Sequence, residues 1–200
     1  MKKFMIISVV LISSIFIFLS VTISSQSGDD KVKSFNESIK YENDGKYDLA
    51  ITALTKIYRE NKEDHLLNIR LGWLYYQKKD YTKSKEYYKN SIRLNTSSIE
   101  AKLGLTLPLS ALNEWKEIKK LYLEIINTDS KNYTANLRLG QIYLANADYV
   151  NAKKYLEVAY KLYTSSYEPN LSLGWTYYYL GDLTNAKKLL TQALMLKVND

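Results

Sequence analysis

The side chains that usually carry acid–base or covalent chemistry are nearly missing from this sequence. His65 is its one histidine, and it contains no cysteine. Disulfides, thiolate catalysis and cysteine–metal sites are therefore excluded, and a lone histidine cannot build the common zinc sites. His65 reads as a solvated or helix-capping residue. Serines are frequent, but none has a candidate base beside it. The acids are scattered over solvated faces, and Glu114-Trp-Lys-Glu117 reads as an exposed turn. The glycines are isolated, so no phosphate-cradling loop is formed. Catalytic residues, metals, cofactors and a small-molecule substrate are not expected, and the chain does not read as an enzyme. What is abundant is recognition chemistry. The sequence holds 19 tyrosines and three tryptophans, the residue types that most often anchor protein interfaces.

Those rings recur on a period that reveals the elements carrying them. Leu71-Gly72, Leu139-Gly140 and Leu173-Gly174 share one register, the first pair two periods before the second and the second one period before the third. With repeat position 1 set at Lys31, His65, Ile99, Tyr133 and Tyr167, five units of equal length fill the rest of the chain: 31–64, 65–98, 99–132, 133–166 and 167–200. Position 11 is Tyr41, Tyr75, Leu109, Tyr143 and Tyr177, position 20 is Ala50, Ser84, Ile118, Ala152 and Ala186, and position 24 is Leu54, Tyr88, Tyr122, Leu156 and Leu190. A period of this length signals stacked helical units, each burying its apolar face on the next. Two prolines and seven glycines in 200 residues favour helix throughout. Asp44-Gly45, Lys79-Asp80 and Gly181-Asp182 mark short turns, and Asp148 and Asp182 precede second helices near their positive ends.

The pattern of Leu-Gly, an aromatic three residues later, then a small and a large residue at fixed offsets resembles the tetratricopeptide repeat family. The resemblance runs from Lys31 to Asp200 without insertion or deletion. It implies an all-α fold of helix-turn-helix repeats stacked into a right-handed superhelix, an α-solenoid. Glycine at position 8 is expected to let the second helix approach closely, where a larger side chain would overpack by roughly 1–3 kcal/mol. The sequence departs from the family in several places. The usual proline near position 32 is absent, so Asn, Ser and Thr must make the turns between repeats. Glu37-Ser38 stands at positions 7 and 8 of the first repeat, which reads as a polar cap. Repeat three has Thr106 at position 8 and Pro108 inside its first helix. That proline removes one backbone hydrogen bond and collides with the carbonyl of Gly104, at a cost of about 3 kcal/mol, and predicts a kink.

In this family the first helices line a concave face. The resemblance places Phe35, Ile69, Trp73, Tyr76, Leu103, Leu107, Leu137, Gln141, Leu171, Trp175, Tyr178 and Tyr179 in such a groove. It is apolar and aromatic. The Lys, Asn and Arg set with which some members grip a peptide carboxylate is not met, because position 5 is Phe, Ile or Leu throughout and only Arg70 and Arg138 are basic at position 6. The groove suits an amphipathic helix or an apolar extended segment. Trp73 and Trp175 also fit packing between repeats. Leu196 falls at position 30, which meets a following repeat in this family, and Leu189 adds to that edge. An apolar end of this kind favours self-association, hence a homo-oligomer.

Before the repeats, Lys2 and Lys3 precede an uncharged apolar stretch at residues 4–23. Twenty helical residues span about 30 Å, one hydrocarbon core. The stretch reads as a transmembrane anchor or a signal peptide over residues 1–23. Ser25-x-Ser27 is a poor substitute for an Ala-x-Ala cleavage site. Residues 24–30 read as a polar linker. The positive end stays in the cytoplasm, placing the repeats in a bacterial periplasm or exterior, or secreting them if the segment is cleaved. Net charge is +7 without a basic block, so nucleic acid is not an expected partner. The leading expectation is a non-catalytic protein–protein scaffold of the cell envelope. A self-assembling structural protein and a regulatory subunit of an envelope enzyme or secretion complex are the alternatives.

Overall fold

Second helices start at Tyr47, Tyr81, Trp115, Tyr149 and Leu183, each one repeat period after the last. A computed structural model describes residues 28–198, all of it helices and short turns. The helices are α1 (28–43), α2 (Tyr47–Tyr58), α3 (His65–Gln77), α4 (Tyr81–Leu94), α5 (Ile99–Ala111), α6 (Trp115–Thr128), α7 (Tyr133–Ala145), α8 (Tyr149–Leu162), α9 (Tyr167–Tyr179) and α10 (Leu183–Val198). Gly28 to Asp30, expected as linker, are helical. Likewise Glu114 to Glu117 is not a turn: Glu114 precedes α6, and Trp115 opens it.

Each hairpin turn is the same local device. Gly45, Lys79, Asn113, Ala147 and Gly181 all sit at position 15 with φ between +58° and +83°. The amide of the next residue donates back to the carbonyl five residues earlier, as from Asp148 to Tyr143 at 2.9 Å and from Lys46 to Tyr41 at 2.8 Å. This closure satisfies carbonyls that the helix end would otherwise orphan. The following residue then starts the second helix. The carboxylates of Asp80, Asp148 and Asp182 accept from the amides of Lys83, Asn151 and Asn185 at 3.1–3.2 Å. Side-chain hydrogen bonds from Asn151 and Asn185, reinforced by those amides, hold the Asp148 and Asp182 carboxyls below the ordinary carboxylate range.

Between repeats, helix caps and buried asparagines close the turns. Asp64, Ser98 and Asn132 cap α3, α5 and α7 by accepting from the amides of Leu67, Ala101 and Ala135. Four residues into the repeat, Asn68, Asn136 and Asn170 are 0–1% exposed. Each amide nitrogen donates to two turn carbonyls at 2.7–3.0 Å: Lys62 and Asp64, Ser130 and Asn132, Thr164 and Ser166. One side chain thus satisfies two backbone acceptors that burial would otherwise leave unpaired. In repeat three the same position is Lys102, also buried, paired with Glu124 at 3.3 Å.

The described chain forms two compact units that divide within α4, between Tyr87 and Tyr88. In the first, Ala50, Leu54, Leu67, Leu71 and Leu74 form a closed core, with Phe35, Tyr47 and Trp73 packed on it. Ser84 there donates to the Gly72 carbonyl at 2.7 Å, so position 20 is small for a polar reason in this repeat. In the second unit, Leu137, Ala152, Leu156, Ala159, Leu173 and Leu189 are the corresponding core. Close approach at position 8 is confirmed: a Cβ on Gly140 would lie 2.6 Å from Leu156 Cγ, and one on Gly174 would lie 2.9 Å from Leu190. Gly104 serves a further purpose. A Cβ there would stand 2.2 Å from the ring of Tyr88, so this glycine admits an aromatic side chain as well as facing Pro108. Helix α5 continues past Pro108 to Ala111. Among the described residues no helix is long and apolar enough to cross a membrane. The apolar stretch at 4–23 lies outside them.

Candidate functional surfaces

In the first unit one expected groove residue, Trp73, meets a carboxylate. Trp73, at position 9, donates its indole N–H to Glu42, and the Arg70 guanidinium pairs with the same carboxyl. Trp73 stacks on Tyr76 at 6.0 Å between centroids and rests on the core, as Phe35 does. Trp73 is thus committed largely to its own unit. Ile69 is half-buried, while Leu66 and Ile39 are exposed. Lys31 pairs with Asp64. Burial alone would raise the Asp64 carboxyl, but the Lys31 ammonium and the Leu67 amide outweigh it and hold the group below its usual range.

The second unit offers more open surface. Trp175, Tyr178 and Tyr179 on α9 are 42%, 50% and 54% exposed. Their rings touch one another at 5.5–6.3 Å, and Tyr179 stacks on Tyr149 of α8 at 4.8 Å with planes 9° apart. Four large rings therefore form one continuous patch. Leu171 is half-buried nearby on α9. Also on α9, Tyr177 donates to Glu157 of α8 at 2.8 Å. Burial, with that carboxylate beside it, pushes the phenol up to about 12.

A cavity of about 640 Å³ opens between α5, α6 and α7. Thr106, Leu107 and Ser110 form one wall, Trp115, Ile118 and Tyr122 a second, and α7 the third, from Arg138 to Asn146. Arg138 bridges to Glu168 at 3.0 Å and to Gln141 at 2.9 Å, and Gln141 donates to Ser172 at 3.1 Å. Of the sequence-derived groove residues, Leu107 and Gln141 line this cavity, and Leu103 is half-buried on α5. Trp115 was not among them. Its flanking charges, Glu114, Lys116 and Glu117, disguised a ring that opens a helix and is 51% exposed.

Two expectations are corrected. Leu137 does not face a groove. It is 1% exposed and packs with Leu156 and Leu173, because α8 and α9 close over it. Leu189 is not on an open edge either, being 4% exposed in the same core. Leu196 is half-buried. Leu162, at the equivalent position, is 38% exposed although a repeat follows it, so position 30 is not a strict contact between repeats here. The apolar surface of α10 comes instead from Leu183, Leu194 and Met195, each 62–64% exposed.

Helical hairpins on a fixed period, closed by the same left-handed turn, define a tandem-repeat protein of the helical-solenoid class. Three of the segments, residues 67–98, 133–165 and 167–199, match the model of the tetratricopeptide repeat. No curated protein matches the chain. Solved structures do. A MamA protein is 20% identical, with a TM-score of 0.74 over 85% of this chain and 93% of that one. A MamA fragment beginning at residue 41, from Desulfovibrio magneticus RS-1, is 16% identical, with a TM-score of 0.74 over 86% and 97%. A tetratricopeptide repeat protein from Parabacteroides merdae is 13% identical, with a TM-score of 0.76 over 86% and 68%. At these identities the likeness is one of fold.

Proposed function

We propose that this protein is a non-catalytic scaffold that holds a protein segment on its repeats, tethered in the cell envelope by residues 4–23. The observation that carries the reading is the continuous patch of Tyr149, Trp175, Tyr178 and Tyr179, in which the three α9 rings stand close to half in solvent. Clustered rings of this kind hold binding energy out of proportion to their number, because each contributes large apolar area with few rotors. The tetratricopeptide fold supports the same reading, and five repeats fit the five helix pairs. The tether rests on the sequence: an uncharged span of membrane length behind Lys2 and Lys3 directs the repeats away from the cytoplasm. A photo-crosslinking residue placed at Trp175 in native cells captures a defined protein, while one at Val150, which is 72% exposed, captures none. Trp175→Ala then reduces co-purification of that protein and leaves the melting temperature in place. Equal loss of both would sink the reading.

A second reading, self-assembly through the last repeat, is favoured by the open apolar face of α10, where Leu183 and Met195 border a groove of about 720 Å³. In that case Leu194→Lys disperses oligomers in sedimentation, and Trp175→Ala does not.

A further inference from the structure

We propose that the cavity between α5, α6 and α7 receives an aromatic side chain of the partner polypeptide, stacked on Trp115, with an acidic residue of the same segment meeting Arg138. This deepens the scaffold reading and rests on it. The protein's own internal repetition identifies the occupant. One repeat later, the equivalent junction of α7, α8 and α9 places Tyr149 where Trp115 stands, and Tyr179 where Ala145 stands. There the two rings stack at 4.8 Å, 9° from parallel. At the cavity the first ring is present and its counterpart is a methyl group. Ser110 likewise stands where the next repeat has Leu144. The missing volume is therefore that of a large ring lying against Trp115, and a cavity of about 640 Å³ accommodates it together with part of its main chain.

Charge points the same way. Among the described residues, Arg138 is the sole charged side chain lining the cavity, and its side chain is 45% exposed. Its bridge to Glu168, itself 47% exposed, is a surface ion pair that an incoming carboxylate displaces at little cost. The residues from Tyr88 to Val198 hold 14 lysines and arginines against nine acids, so an acidic segment is also drawn to this unit at long range.

The test selects peptides from a phage-displayed random library on the full-length chain and measures the synthetic winners by calorimetry. The expected winners share an aromatic residue with Asp or Glu within about one helical turn, and replacing the ring by Ala weakens them about tenfold or more. Ala145→Tyr, which rebuilds the stack from within, abolishes their binding while holding or raising the melting temperature. Trp115→Ala weakens all of them, and Arg138→Gln weakens only those carrying the acid. Peptides that bind Ala145→Tyr as tightly as the parent overturn the cavity assignment. If those same peptides are lost on Trp175→Ala, the scaffold reading survives with its site on α9. A library that yields no binder to the parent chain overturns both.

Discussion

At position 15 a single dihedral angle decides what each hairpin costs. Gly45 and Gly181 occupy the left-handed region without penalty, whereas Lys79, Asn113 and Ala147 adopt the same conformation with a side chain. For an L-residue that region costs roughly 1–2 kcal/mol, and asparagine bears it better than lysine or alanine. Ala147 has no side-chain hydrogen bond to offset the strain. Replacing it by glycine removes the clash but adds unfolded-chain entropy worth about 0.4–1 kcal/mol. Ala147→Gly is therefore expected to stabilise the protein by roughly 0.5–1 kcal/mol in urea melts, and Gly181→Ala to destabilise it by a similar amount. An Ala147→Gly variant no more stable than the parent would show that the turn closure, rather than the residue's own strain, dominates here.

Helix pairs depend on how closely their backbones approach, and the glycines set that distance. At Gly140 an added methyl meets Leu156, which is wholly buried and cannot swing aside. Overpacking of this kind costs about 1–3 kcal/mol, against a gain of about 1 kcal/mol from alanine's better helix propensity. Gly140→Ala should lower stability by up to about 2 kcal/mol in urea melts, and Gly104→Ala by more, since its methyl would overlap the buried Tyr88 ring. A neutral Gly140→Ala would mean that α8 slides freely along α7. The elements were legible in the sequence because their signals are local: a repeat period, a turn residue and a cap are all read from a few neighbouring letters. Contacts made by distant neighbours were not. Leu137 has the same type and register as Leu103 and Leu171, which were expected beside it in the groove, yet α8 and α9 bury it. The asparagines at position 4 look like solvent-facing polar residues until their two carbonyl partners are placed. Trp115 was hidden for the opposite reason, since charges flank a ring that belongs to a binding wall.

For the molecule as a whole, stability against pH is bounded by groups whose protons the fold holds differently from the unfolded chain. Asp64, Asp148 and Asp182 bind their protons less tightly when folded. Their ordinary value is 3.8, so their contribution is fully present above that pH and is lost as pH falls through the lower folded values. Below that point the unfolded state binds more protons than the native state, and stability falls with acidification. Tyr177 bounds the other side. Its folded value is raised from 10.0 to about 12, so its contribution is present below the unfolded value and is lost as pH rises between the two. Denaturant midpoints should thus form a plateau from mildly acid to mildly alkaline conditions with a fall at each end. The Asp148→Asn, Asp182→Asn double variant keeps an oxygen that caps each helix but removes the titration. It loses the acceptor for the Asn151 and Asn185 side-chain amides, so it should be less stable than the parent near neutrality and fall less steeply below about pH 4. Tyr177→Phe should lose stability on the plateau, through its broken bond to Glu157, yet decline less between about pH 10 and 12. Parallel acid limbs for parent and double variant would place the acid sensitivity in the ion pairs, such as Lys102 with Glu124, and not in the caps that start the second helices.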